Sequence, residues 1–244
     1  MKQYTQKCIF IFVYKCRSIR CFSRIRTKAL ALTDRYCIIY IVALAKLQDE
    51  VIPMDYIAEY KRWLENPALT ENERAELQSV QENKEEIESR FFAPLSFGTA
   101  GLRGVLGVGL NRMNRFTVGQ AAQGLANLIV SNGKAAMDRG VAIAYDSRHF
   151  SPEFAKQSAC ILAASGIKTL LFDELRPTPE LSFAIRHYGC IAGINITASH
   201  NPKEYNGYKV YGADGGQMAT EDAATVTNYI NEVTDYLTDR KSVV

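Results

Sequence analysis

Val141-Ala142-Ile143-Ala144-Tyr145-Asp146-Ser147-Arg148 is the stretch on which the fold turns. Five mainly apolar residues closed by a charged turn are too few for a helix and read as a buried strand. Ser151-Pro152-Glu153 follows as a helix start with proline in the first turn, and that helix is predicted to end at Gly166. The unit then recurs. Lys168 to Phe172 reads as a second strand, Thr178-Pro179-Glu180 opens a helix reaching His187, and Ala192 to Thr197 is a third strand. Working outward, Val118 to Met137 is expected to be one helix, Tyr208 to Tyr211 a short fourth strand, and Thr220-Glu221-Asp222 the start of a last helix to about Leu237. Alternating strands and helices with apolar strands predict an α/β fold: a three-layer α/β/α domain with a mostly parallel mixed sheet. Helices should precede it over 54–90. Tyr56, Tyr60, Trp63 and Leu64 recur at helical spacing, Asn66-Pro67 breaks that helix, and Thr70-Glu71-Asn72-Glu73 restarts one with a capping box.

In sheets of this kind, loops at the carboxyl ends of the strands carry ligands. Two such ends stand out, Asp146-Ser147-Arg148 and the turn after Ile194-Asn195-Ile196-Thr197-Ala198-Ser199-His200-Asn201-Pro202. Ser199 sits at the rim with His200 beside it, and Lys203 and Lys209 follow within ten residues. A hydroxyl that carries a phosphoryl group needs an exposed oxygen, a proton-transfer group and positive charge for the dianion. An ordinary Ser/Asn/Pro turn after a strand fits the local chemistry as well. Phe97-Gly98-Thr99-Ala100-Gly101-Leu102-Arg103-Gly104 adds three glycines and an arginine in eight residues. Such a run brings backbone close to a ligand and offers a bidentate cation, or it is a turn between the leading helices and the domain. It matches neither the Walker pattern nor GxGxxG.

Bulk composition narrows the class. Hydrophobic residues at 47% and charged ones at 23% are those of a soluble globular protein, and a cytoplasmic location with no membrane span is expected. The net charge of +3 conceals an asymmetry: residues 1–53 carry ten Lys/Arg against three Asp/Glu, and the remainder is net −4. An acidic globular part argues against a nucleic-acid partner. Cys8, Cys16, Cys21 and Cys37 lie in the basic leader, while Cys160 and Cys190 sit among small or apolar neighbours and are expected to be buried, reduced thiols. The leader's apolar runs are too short to cross a bilayer, and it lacks a cleavable h-region. Residues 1–53 are therefore expected to be upstream sequence translated in error, with Met54 the true start. Asp239 to Val244 reads as a severed edge of the kind that read-through into a sequencing adapter would translate to.

Taken together the loops carry a resemblance. Phe97-Gly-Thr-Ala-Gly-Leu-Arg-Gly104, Tyr145-Asp-Ser-Arg148, Arg176-Pro-Thr-Pro179 and Thr197-Ala-Ser-His-Asn-Pro202 with Asn206-Gly-Tyr-Lys209 resemble the α-D-phosphohexomutase superfamily. Within it, the likeness is to the phosphoglucomutase/phosphomannomutase enzymes of the phosphoglucomutase-2-like group, from about Tyr56 to Leu237. The resemblance implies that Ser199 carries the phosphoryl group and that His200 assists proton transfer or orients the phosphoserine. It implies that Arg103 and Lys209 contact the transferring phosphate, with Lys209 also a candidate general acid/base. Thr99, Gly101, Arg148 and Asn201 are implied at the substrate or phosphate site, with Asp146 buttressing Arg148. The implied reaction interconverts a sugar 1-phosphate and 6-phosphate through a bisphosphorylated sugar. Mg²⁺ would be held in part by the phosphate on Ser199, and a sugar bisphosphate would act as activator.

The resemblance further implies a four-domain enzyme whose serine domain comes first, here 91–244, with the other three domains absent. No aspartate-rich metal loop of the DGDxDR type is present; Glu221-Asp222 is the one close acidic pair after Ser199. A phosphoserine oxygen alone does not satisfy Mg²⁺, so this polypeptide is expected to be inactive alone. Phosphoglucomutase, phosphopentomutase and phosphomannomutase activities stay open, as does a non-catalytic sugar-phosphate-binding fragment. A serine hydrolase is excluded, because there is no GxSxG elbow and His149 and His187 follow no triad order. His187 is expected to be structural, and His149 to mark a helix entry.

Overall fold

The computed structural model describes residues 55–98, 101–234 and 236–237. The leader with its four cysteines, Thr99 and the terminal Asp239 to Val244 lie outside the described residues. All described residues belong to one compact unit, Met54–Val244.

Among the described residues three short helices come first: α1 (Tyr56–Leu64), α2 (Glu71–Ser79) and α3 (Lys84–Phe91). Asp55 caps α1, and α2 has the full capping box, Thr70 accepting from Glu73 N–H while Glu73 accepts from Thr70 N–H. Trp63 is fully buried and meets Phe91 and Phe116 edge-on at 5.8 and 5.3 Å, fastening these helices to the domain.

The domain then runs β1 (Leu102–Val105), α4 (Arg115–Ser131), α5 (Lys134–Arg139), β2 (Val141–Tyr145), α6 (Ser151–Ala164), β3 (Thr169–Leu171), α7 (Thr178–His187), β4 (Ala192–Ile196), β5 (Tyr205–Tyr211) and α8 (Thr220–Asn231). The sheet order is β1-β5-β4-β2-β3. β2 pairs in parallel with β3 and β4, and β5 pairs antiparallel with both β4 and β1. Four strands therefore share one direction and β5 alone opposes them, a mixed, mostly parallel sheet. Val141, Ile143, Ile194, Ile196, Tyr208 and Val210 face α4, α6 and α8. Ala142, Ala144 and Tyr211 face α7, which covers the opposite side. Three layers result.

Differences from the sequence reading have local causes. The helix expected over Val118 to Met137 starts earlier, because Asn114 caps it, and is divided at Gly133, whose φ of +83° no helix accepts. The stretch Leu102–Val105, read as loop, is a strand, because β5 offers it a complete antiparallel edge. β5 itself begins at Tyr205, three residues before the expected Tyr208. The last helix stops at Asn231, and the chain turns so that the Leu237 carbonyl accepts from Asn66. Cys190 is buried and the pKa of its thiol is pushed up by that burial, whereas Cys160, in α6, is only half-buried; both are free.

Candidate active site

Sheet register sets the site. Ile196, at the carboxyl end of β4, stands level with Tyr208, which stands level with Leu102 on the far side of β5. Arg103, opposite Gly207, is thus one step beyond, level with the entry to the serine loop. Lys209 lies opposite Asn195. Strand alternation puts Tyr208 in the core against α4 and α6, so Arg103 and Lys209 share the other face. Gly207 is needed between them: a Cβ there would lie 2.7 Å from the Thr197 carbonyl oxygen.

Ser199 stands at the loop tip, exposed, with φ +57°. Non-glycine residues in this left-handed region are uncommon and need surrounding structure to hold them there. Here the Ser199 N–H donates to Thr197 Oγ1 at 3.0 Å, and Asn201 N–H donates to the Ala198 carbonyl at 3.1 Å. Ser199 Oγ lies 3.4 Å from His200 Nδ1, a long contact on an exposed imidazole. Arg103 Nη1 donates to Asn201 Oδ1 at 3.1 Å, which ties the glycine-rich segment to the serine loop.

Lys209 is the electrostatic centre. Its ammonium is half-buried and has no hydrogen-bond or ion-pair partner among the described residues. Burial lowers its affinity for the proton, the Arg103 charge lowers it further, and Asp146 offsets part of the loss. Two cations that repel each other on one face of the sheet are an arrangement that an anion relieves. Gly101 seats the preceding loop directly on this strand. At φ +86°, a Cβ would fall 2.1 Å from the Tyr208 carbonyl oxygen and 3.0 Å from Lys209 Cα.

Arg148 faces the backbone of the serine loop. Its guanidinium donates to the carbonyls of Ser199, Asn201, Pro202 and Tyr205, at 2.9, 2.7, 2.8 and 3.0 Å. Asp146 stands behind it, accepting from Arg148 N–H at 3.0 Å and from Ser151 Oγ at 2.8 Å. Asn206, fully buried, donates to Ser151 Oγ and the His149 carbonyl and accepts from Gly207 N–H. Asn206 and Ser151 are members of the site that reading the residues left without a role. The one local signal was a polar Asn beside Gly207 in a β segment, where only tertiary partners give it a purpose. His149 is exposed at the entry to α6, and His187 stacks on Phe183 at 5.2 Å and meets Tyr188 at 4.8 Å.

A magnesium ion takes several oxygen ligands. Among the described residues no group of three His, Cys, Asp or Glu that could hold a metal ion is gathered. These residues do not by themselves make a Mg²⁺ site. Among the described residues no helix is long and apolar enough to cross a membrane.

Comparison with known proteins is consistent with this geometry. Over 152 residues the chain is 49% identical to a phosphoglucomutase of Staphylococcus epidermidis ATCC 12228, covering 62% of this chain and 27% of that protein. A phosphoglucomutase of Staphylococcus aureus USA300 is 47% identical over 158 residues, covering 64% of this chain and 28% of its own length. The chain thus spans little more than a quarter of the length of these relatives. A solved structure of a candidate phosphomannomutase from Thermus thermophilus superposes with a TM-score of 0.51 at 34% identity, covering 57% of this chain and 30% of that one. The open form of Paramecium pp63/parafusin, a phosphoglucomutase, shares the fold with a TM-score of 0.50 at 23% identity, covering 58% of this chain and 26% of that one. The family model for phosphoglucomutase/phosphomannomutase, α/β/α domain I, matches residues 94–237, more than half of the sequence, and the chain belongs to that family.

Proposed function

We propose that this chain supplies the phosphoserine half of a phosphoglucomutase-type intramolecular phosphotransferase, with Ser199 as the carrier. The observation that carries the reading is the half-buried Lys209 ammonium, without a hydrogen-bond or ion-pair partner among the described residues, on the strand that pairs with the one leading to an exposed serine held at φ +57°. In the first step the bond between phosphorus and Ser199 Oγ breaks, and a bond forms to a free hydroxyl of a sugar monophosphate. That hydroxyl gives up its proton, and the product is a bisphosphorylated sugar. In the second step the other phosphate returns to Ser199, so that a 1-phosphate and a 6-phosphate interconvert. Arg103 and Lys209 balance the charge on the moving group, and His200 or Lys209 exchanges the proton. A sugar bisphosphate is the species that would load Ser199 at the start, and the partners are sugar phosphates.

Glucose phosphate is the proposed substrate, following the relatives' names, with mannose and ribose phosphates the alternatives to assay beside it. Magnesium, as the family likeness implies, would need oxygen ligands beyond those gathered here, so no step above depends on it. The free thiols Cys160 and Cys190 fit a reducing compartment, and the cytoplasm is the proposed location. A second reading, sugar-phosphate binding without turnover, is favoured by the lack of a gathered metal-donor set among the described residues. The decisive experiment incubates the protein, expressed from its own gene, with glucose 1,6-bisphosphate and then measures intact mass. A gain of one phosphoryl group, absent in Ser199→Ala, is expected. Binding with no covalent gain would favour the second reading.

A further inference from the structure

Four of the five guanidinium N–H groups of Arg148 are committed to carbonyls inside the protein. Nη1 reaches the carbonyls of Pro202 and Tyr205, Nη2 those of Ser199 and Asn201, and Nε lies 3.4 Å from Asp146 Oδ2. A guanidinium has five N–H groups in a fixed fork; carbonyls take four and Nε faces Asp146, so no pair of donors is left to grip a ligand. The side chain is 14% exposed. Its four carbonyl acceptors span Ser199 to Tyr205, most of the turn between β4 and β5 and the first residue of β5.

We infer that Arg148 is a positioning residue, not a phosphate ligand: it holds the serine loop in the conformation that presents Ser199 Oγ. This rests on the reading of Ser199 as the carrier. The physical need is specific. Ser199 occupies a left-handed backbone conformation that its own side chain does not favour, and its carbonyl is one of those Arg148 grips. Release of that carbonyl lets the peptide rotate and swings Oγ away from the phosphorus. Asp146 keeps the fork aimed. It is fixed in turn by Ser151 Oγ, which Asn206 also grips from β5. The chain of contacts thus runs from the end of β2, through the start of α6, to β5, and closes on the loop between β4 and β5. Lysine does not reproduce it, because an ammonium is a single point with three donors and cannot span acceptors on both sides of a planar fork.

The test is steady-state kinetics of the protein expressed from its own gene, with glucose 1-phosphate as substrate. Arg148→Lys is expected to lower kcat by about 10- to 100-fold, the cost of a misplaced nucleophile, with KM changed by less than about threefold. A ligand of the phosphate that the substrate keeps through the first step would show the reverse, a raised KM with kcat largely kept, and that pattern overturns the proposal. So does a folded Arg148→Lys variant with wild-type kcat. Asp146→Asn leaves all four carbonyl bonds in place and loosens only the aim of the fork, so it should lower kcat less, again at constant KM. A wild-type kcat in that variant would overturn the proposal even where Arg148→Lys fails to fold. Ser199→Ala separates the two levels. Retained turnover there defeats the carrier reading itself, whereas its loss alongside an unaffected Arg148→Lys defeats only the positioning role.

Discussion

Gly101 and Lys209 show how two residues set each other's properties. Gly101 exists to let backbone lie on backbone: with φ +86° and 2.1 Å from a Cβ to the Tyr208 carbonyl oxygen, no side chain fits. Gly101→Ala is expected to destabilise the protein by about 1–3 kcal/mol from backbone strain alone. A lowered midpoint in urea unfolding measures it. Lys209 has its proton affinity reduced below the ordinary 10.5 by burial first and Arg103 second. The sign follows from proton counting. Below the folded-state value, Lys209 is charged in both states and its burial penalty is fully present. Between that value and 10.5 the unfolded chain binds more protons, so stability rises with pH. Lys209→Met should therefore raise Tm at pH 7, with the difference narrowing as pH climbs toward 10.5. Thermal melts across that range check it, and a gap that widens with pH would contradict the assignment. Phosphate should narrow it also, by stabilising only the charged lysine.

Among the elements, α4 is the most tightly specified. Asn114 caps it by accepting from Phe116 and Thr117 N–H, and its amide also donates to the carbonyls of Gly107 and Gly109 at 3.0 and 2.8 Å. One side chain therefore terminates the helix and ties down the loop before it. Removing an ordinary cap costs about 0.5–2 kcal/mol, and Asn114→Ala should reach or exceed the top of that range because buried carbonyls are orphaned too. Asp55→Ala, at an exposed cap with no second role, should cost about 1 kcal/mol or less. The contrast between the two, read from urea midpoints, is the test. Further along α4, a Cβ on Gly124 would lie 2.6 Å from Ile230 Cα, so α8 crosses in direct contact with α4. A glycine inside a helix is ordinarily a weak point. Only the crossing partner explains this one.

Across the fold, α1–α3 form a second cluster of buried residues beside the sheet core, with Trp63, Leu77, Phe91, Val108, Leu110, Phe116 and Leu237. Arg90 and Arg112 hold the intervening loop through Glu76, Glu86 and Ser89, and Arg115 pairs with Glu73 at 2.7 Å. The Glu/Lys-rich surface of these helices is largely exposed, while Trp63 and the ion pairs fasten their other side to the domain. Trp63→Ala is expected to cost about 3–5 kcal/mol, as large-to-small changes at fully buried aromatic sites do. The loss should appear as one cooperative shift of the whole transition. A separate early transition confined to the helices would show that they fold independently.

Much was legible in the chain as written. Apolar runs such as Val141–Tyr145 and Ala192–Ile196 name themselves as strands, because a short segment buried on both faces tolerates nothing else. The capping box at Thr70 and the proline starts at Ser151 and Thr178 mark helices for equally local reasons. Ser199, His200, Arg103 and Lys209 were visible as types of residue near one another in sequence or shared with a family. What no local signal contained was pairing. β1 became a strand only because β5 lay beside it. Arg148 spends its donors on carbonyls up to 57 residues away, and Asn206 finds its work on α6. Hydrogen bonds and unshielded charges between distant segments depend on where the backbone brings them. The alphabet of this site is therefore local, while the conformation of its serine and the electrostatics of its lysine belong to the folded sheet.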